Sequence, residues 1–91
     1  MRFLIMKYDL FNKKDIELIL LLSFLGGRDN IIKINNFANR LRLEVKYIDK
    51  VEVEEIKKYY PAVEKINDNE VHIVVGTDAN LLANELKKFT I

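Results

Sequence analysis

The longest apolar stretch of the chain runs from Ile16 to Leu25, broken by Glu17 and Ser23. Asn12 suits an N-cap and Gly26-Gly27 a stop, so the pattern predicts a first helix over Lys13–Leu25. A surface helix needs one apolar stripe, whereas this one is apolar on nearly every side and requires cover on more than one of them. Before it, Arg2–Leu10 is apolar without a clean period and suits an edge strand or an N-terminal extension of the helix. Ile31–Ile34 is a short β-branched run and reads as a strand. Asn35 then caps a short helix over Asn36–Leu41, Arg42 and Leu43 form a turn, and a longer helix runs from about Glu44 to Tyr60, stopped by Pro61. Its apolar positions Val45, Ile48, Val51, Val53, Ile56, Tyr59 and Tyr60 spread over a wide arc, and Glu52, Glu54 and Glu55 interrupt that arc, which allows a kink.

Further along, Ala62–Ile66 and Glu70–Val75 are extended runs separated by Asn67-Asp68-Asn69. Asn and Asp tolerate left-handed backbone, which makes this a hairpin signal. Gly76 ends the second strand, and Thr77 or Asp78 caps a last helix over Ala79–Phe89 with Ala79, Leu82, Leu86 and Phe89 along one face. Leu81 and Ile91 fall off that stripe and suggest a second buried face.

Composition narrows the picture. Ninety-one residues, 49% of them apolar and 32% charged, make one folded domain over residues 1–91. There is no cysteine, so disulfides and thiolate metal sites are excluded, and His72 alone makes no metal site. Neither a secretory leader nor an apolar run of the roughly 20 residues that cross a bilayer is visible. The expectation is a cytoplasmic protein with no membrane partner, no metal and no cofactor. Net charge is +1, and its positive excess sits within Arg28–Leu43.

The segment Phe37-Ala38-Asn39-Arg40-Leu41-Arg42-Leu43-Glu44-Val45-Lys46-Tyr47-Ile48-Asp49-Lys50-Val51 resembles a winged helix-turn-helix. Ala38 stands where two helices cross closely, Phe37 and Leu41 are spaced by four, Leu43 plugs the turn, and Ile48 and Val51 are spaced by three. The resemblance implies an α+β fold: a three-helix core plus a β-hairpin wing over residues 13–75, with an added C-terminal helix over 77–91. It also implies a transcription regulator that binds double-stranded DNA, with the helix from Glu44 in the major groove. Glu44, Lys46, Tyr47, Asp49 and Lys50 would face the bases. Arg40, Arg42 and Lys33 would contact phosphates, and Lys65, Asn67 and Asn69 would sit at the wing tip. A homodimer through helix 1 and the C-terminal helix would match a pseudo-palindromic site. The alternative is a winged-helix module for protein contacts in a transcription, replication or trafficking complex, favoured by the acidic residues of the Glu44 helix. With no catalytic set or phosphate-cradling glycine loop identified, the chain is expected not to be an enzyme.

Overall fold

A computed structural model describes residues 13–90. The readings of Arg2–Leu10, the Asn12 cap and Ile91 lie outside the described residues. Helix α1 covers Lys13–Phe24 and ends where the glycine pair predicts. Gly26 N–H donates to the Ser23 carbonyl at 3.1 Å and Gly27 N–H to Leu22 at 2.9 Å, the paired bonds of a Schellman stop. Gly26 carries φ +98°, and a Cβ there would lie 2.6 Å from Asn30 Nδ2 and 2.8 Å from Lys50 Cβ. Glycine is therefore required twice over, by dihedral and by space.

After a 3₁₀ turn at Arg28–Asn30, strand β1 (Ile31–Phe37) and strand β2 (Arg40–Val45) form a hairpin. A second 3₁₀ turn (Ile48–Lys50) and the short helix α2 (Val53–Ile56) lead to β3 (Ala62–Asn67) and β4 (Glu70–Val74), and α3 (Ala79–Thr90) closes the described chain. The strands make one antiparallel sheet in the order β1-β2-β4-β3.

The largest departure from the sequence reading lies in residues 36–60. The expected helix over Asn36–Leu41 is the end of β1, a turn and the start of β2, and the expected turn at Arg42-Leu43 is mid-strand. Only Val53–Ile56 of the expected Glu44–Tyr60 helix is α-helical. The reason is in β2 itself. Arg40, Arg42 and Glu44 alternate with Leu41, Leu43 and Val45, and those three apolar residues are 0% exposed. A period of two buries one side of a strand completely, whereas on a helix it would scatter the leucines around the axis. No helix-turn-helix forms between Phe37 and Val51. Ala38, assigned to a helix crossing, is instead the described non-glycine residue with positive φ (54°), at the hairpin apex. Phe37, expected inside, is 67% exposed.

The core joins Ile34, Leu41, Leu43, Val45, Val71 and Ile73 of the sheet to Leu18, Leu21, Leu22 and Leu25 of the α1 region, Ile56 of α2, and Ala83 and Leu86 of α3. Each large aliphatic side chain buried here contributes about 1.5–3 kcal/mol. The helices thus lie on one face of the sheet. Helix α3 packs on β1, β2 and α1 of its own chain. That corrects its expected use, with helix 1, as a homodimer interface: Ala79, Ala83 and Leu86 are already buried, while Leu81 is exposed. Asn30 is the buried polar residue of this layer. Its Nδ2 donates to the Leu25 carbonyl (2.8 Å) and the Tyr47 carbonyl (3.1 Å), and its Oδ1 accepts from Tyr47 N–H (2.9 Å). It ties the end of α1 to the chain leaving β2.

Candidate functional site

The side of the sheet away from the helices carries the polar half of every strand. Register sets its residues in three rows. Phe37, Arg40, Val74 and Ala62 form the row nearest the β1–β2 apex. Asn35, Arg42, His72 and Glu64 form the middle row, and Lys33, Glu44 and Glu70 the third. Directly opposed residues on neighbouring strands have Cβ atoms about 4.5–5.5 Å apart, so the middle row sets Arg42 beside His72 and His72 beside Glu64.

These groups bind one another unequally. His72 Nε2 lies 2.6 Å from Glu70 Oε2. Arg42 reaches the same carboxylate oxygen at 3.6 Å, and Arg40 reaches Glu64 at 3.7 Å. The hydrogen bond from His72 holds the Glu70 carboxyl below its ordinary range, helped by the charges of His72 and Arg42 and opposed by desolvation. Both arginines are nearly half exposed in long ion pairs, and such pairs contribute only about 0–1 kcal/mol. Either guanidinium can therefore turn to an arriving anion at small cost. Lys33, Asn35, Arg42, Glu44 and Glu70 line a shallow hollow on this face.

The β1–β2 apex adjoins the arginines and is held from behind. Val75 N–H and Gly76 N–H both donate to the Asn39 carbonyl, at 2.9 and 3.1 Å. An alanine in the left-handed region costs about 1–2 kcal/mol, and strain of this kind clusters at working parts of proteins. Between Lys33 and Arg42 there are three cations and no acid. From Asn35 to Arg42 there is also no hydroxyl, thiol, imidazole or carboxylate. The apex can bind an anion but offers no nucleophile.

The residues expected to face DNA are dispersed. Lys33, Arg40, Arg42 and Glu44 share the open face. Lys46 and Tyr47 follow β2, and Asp49 and Lys50 lie in the 3₁₀ turn, where the Lys50 ammonium sits 5.0 Å from the Tyr47 ring centre. Lys65 is on the edge strand β3. Asn67 and Asn69 build the β3–β4 turn: Asn69 N–H donates to Asn67 Oδ1 (2.8 Å), and Asn69 Nδ2 donates to the Val45 carbonyl (3.0 Å). The sequence reading gave no site role to His72, Glu64 or Glu70, and placed the exposed Phe37 in a helical core. The two-residue spacing of Arg40, Arg42 and Glu44, and of Glu70 and His72, was the signal that they share a face.

A separate recess, between α1 and the segment after α2, is lined by Glu17, Leu20, Leu21, Phe24, Tyr59 and Tyr60. Burial and the Glu17 charge push the Tyr60 phenol above its ordinary range. Phe24 and Tyr59 stack there with ring centres 6.0 Å apart.

Comparison with known proteins places the matched segment on the β1–β2 hairpin. Residues 20–52 match the family described as phosphotransferase system, EIIB. That span runs from within α1 through both strands to just past the second 3₁₀ turn. The chain is also 33% identical over 67 residues to the PTS system maltose-specific EIICB component of Escherichia coli (strain K12). The alignment covers 72% of the chain and 13% of that relative, so the chain spans only a small part of the relative's length.

These similarities overturn the resemblance to winged-helix regulators, and with it the DNA-binding function, the transcriptional role and the double-stranded DNA partner. The exclusion of enzymes falls as well, because both matches carry a phosphotransferase name. The absence of a phosphate-cradling glycine loop was a weak ground for it, since paired arginines on a strand bind phosphoryl oxygens equally well. Among the described residues no helix is long and apolar enough to cross a membrane.

Proposed function

We propose that this chain is an EIIB-type domain of a sugar phosphotransferase system, working in the cytoplasm beside the other components of that system. Its open sheet face receives a phosphoryl group. One observation carries the reading: the segment similar to the EIIB family contains the β1–β2 hairpin, and that hairpin supplies Arg40 and Arg42 on one face, free of acids from Lys33 to Arg42.

Residues two apart on a strand are separated by about 6.5–7 Å along it and point the same way. Two guanidinium groups so placed converge on one tetrahedral anion, each with parallel N–H donors that match its oxygens. The sheet holds both backbones by ladder bonds on each side of β2, so the donors are set in place before the anion arrives. Phe37 beside Arg40 adds an exposed aromatic ring, the residue type enriched at the centres of protein contacts.

Titration of the chain with inorganic phosphate, followed by backbone amide shifts, tests this reading. The expected result is saturable shifts confined to Asn39–Arg42 and the neighbouring part of β4, lost in the double variant Arg40→Gln, Arg42→Gln. Shifts that are absent, or that persist unchanged in the variant, overturn it.

A further inference from the structure

A domain that carries a phosphoryl group rather than only binding it needs a nucleophile, and the chain has no cysteine and an apex without a reactive atom. We infer that His72 is the phosphoryl acceptor of the open face, through Nδ1, with Glu70 as the group that orients its ring. The inference rests on the phosphotransferase reading and adds the acceptor to it.

Three observations carry it. The first is the tautomer. An ionised carboxylate only accepts, so the 2.6 Å contact to Glu70 requires a proton on Nε2, and when the ring carries a single proton its lone pair is on Nδ1. The second is access. Among the described residues every fully buried side-chain nitrogen or oxygen has a hydrogen-bond partner, and Nδ1 has none there. Nδ1 therefore keeps some contact with solvent, on a side chain that is 17% exposed as a whole. The third is charge. Arg42 is the direct cross-strand neighbour of His72, and Arg40 is one row nearer the apex. Both can meet the oxygens of a phosphoryl group seated on the ring. Glu64, the neighbour of His72 on β3, opposes such a group, and its partner Arg40 moderates that opposition.

The step balances without any oxidant or metal. The Nδ1 lone pair attacks phosphorus, the bond from phosphorus to the donor's leaving atom breaks, and that atom departs with its electron pair. The ring keeps its Nε2 proton and becomes a cation, which the Glu70 carboxylate faces. Glu70 is a positioning residue in this scheme.

Phosphoramidate, a small donor that reacts with imidazoles, tests the proposal on the whole chain, read by intact mass. Wild-type protein should gain one phosphoryl group that is lost in acid and kept in alkali, as a phosphorus–nitrogen bond requires. His72→Gln should gain none while keeping the wild-type melting curve. Arg42→Gln should slow the reaction about tenfold, the loss of one charge-assisted contact. Glu64→Gln should quicken it. Glu70→Leu should slow it and should also move the imidazole nitrogen resonances from the single Nε2–H form to a mixture, which a purely structural role would not do. A wild-type chain that gains no phosphoryl group, or a His72→Gln chain that gains as much, overturns the proposal. If phosphate still shifts the Arg40–Arg42 amides in that event, the reading of the face stands and only the acceptor is wrong; if it does not, both fail.

Discussion

Strand β2 has two sides made from six consecutive residues. Leu41, Leu43 and Val45 point into the helices and are 0% exposed, while Arg40, Arg42 and Glu44 point away from them. The inner side is interchangeable hydrocarbon whose value lies in area removed from water. The outer side contributes almost nothing to stability, since its ion pairs are long and wet. A mutation on one side should therefore change folding and leave binding alone, and a mutation on the other should do the reverse.

The largest expected effect tests the inner side. Leu43→Ala should lower stability by about 2–5 kcal/mol in a denaturant melt, through lost burial and a cavity between sheet and helices. If it costs under ~1 kcal/mol, the inner side is not packed as described. Asn30→Ala should cost about 1–3 kcal/mol, because it strands the Leu25 and Tyr47 backbone groups in the buried layer. On the outer side, Arg42→Gln should weaken phosphate binding about tenfold while the melt shifts by less than ~0.5 kcal/mol. A stability loss as large as that of Leu43→Ala would erase the distinction between the sides. Ala38→Gly should stabilise by up to about 1 kcal/mol, because relief of the left-handed alanine exceeds the added freedom of the unfolded glycine.

The smallest effect is a pH dependence. The Glu70 carboxyl is depressed in the folded state, so its contribution is fully present above the ordinary carboxylate range and is lost as pH falls through the depressed value. Glu70→Gln should flatten the acid limb of stability against pH and leave the neutral and alkaline limbs unchanged. An unchanged acid limb would mean that the His72 and Arg42 contacts do not hold the carboxylate in solution.

How much of this was legible in the chain varies by element. The β3–β4 hairpin was, because Asn67-Asp68-Asn69 between two extended runs names its own turn, and the strands Ala62–Asn67 and Glu70–Val74 flank it. The end of α1 was legible too, through Gly26-Gly27. The β1–β2 hairpin was not. Its turn is Ala38-Asn39, with no glycine to mark a positive φ, and Phe37 with Leu41, then Ile48 with Val51, imitate helical spacing. Four-residue spacing of two apolar side chains fits a helix as easily as a strand pair joined by a turn. The candidate site was half visible: Arg40, Arg42, Lys33 and Glu44 were singled out, for a different ligand, while His72 and Glu70 lie some thirty residues away in the chain and meet Arg42 only through the pairing of β2 with β4.

Local order along the chain was enough for the features that depend on near neighbours: the helix over Lys13–Phe24 and its glycine stop, the Asn-rich turn and the amphipathic last helix. That Arg40–Val45 form a strand, and what its six residues face, was settled by the packed fold. Pairing Leu41 with Ile73 and Arg42 with His72 joins residues some thirty positions apart, and no local pattern encodes such a partner. That pairing turns the same alternation into a core on one side and an open, charged face on the other.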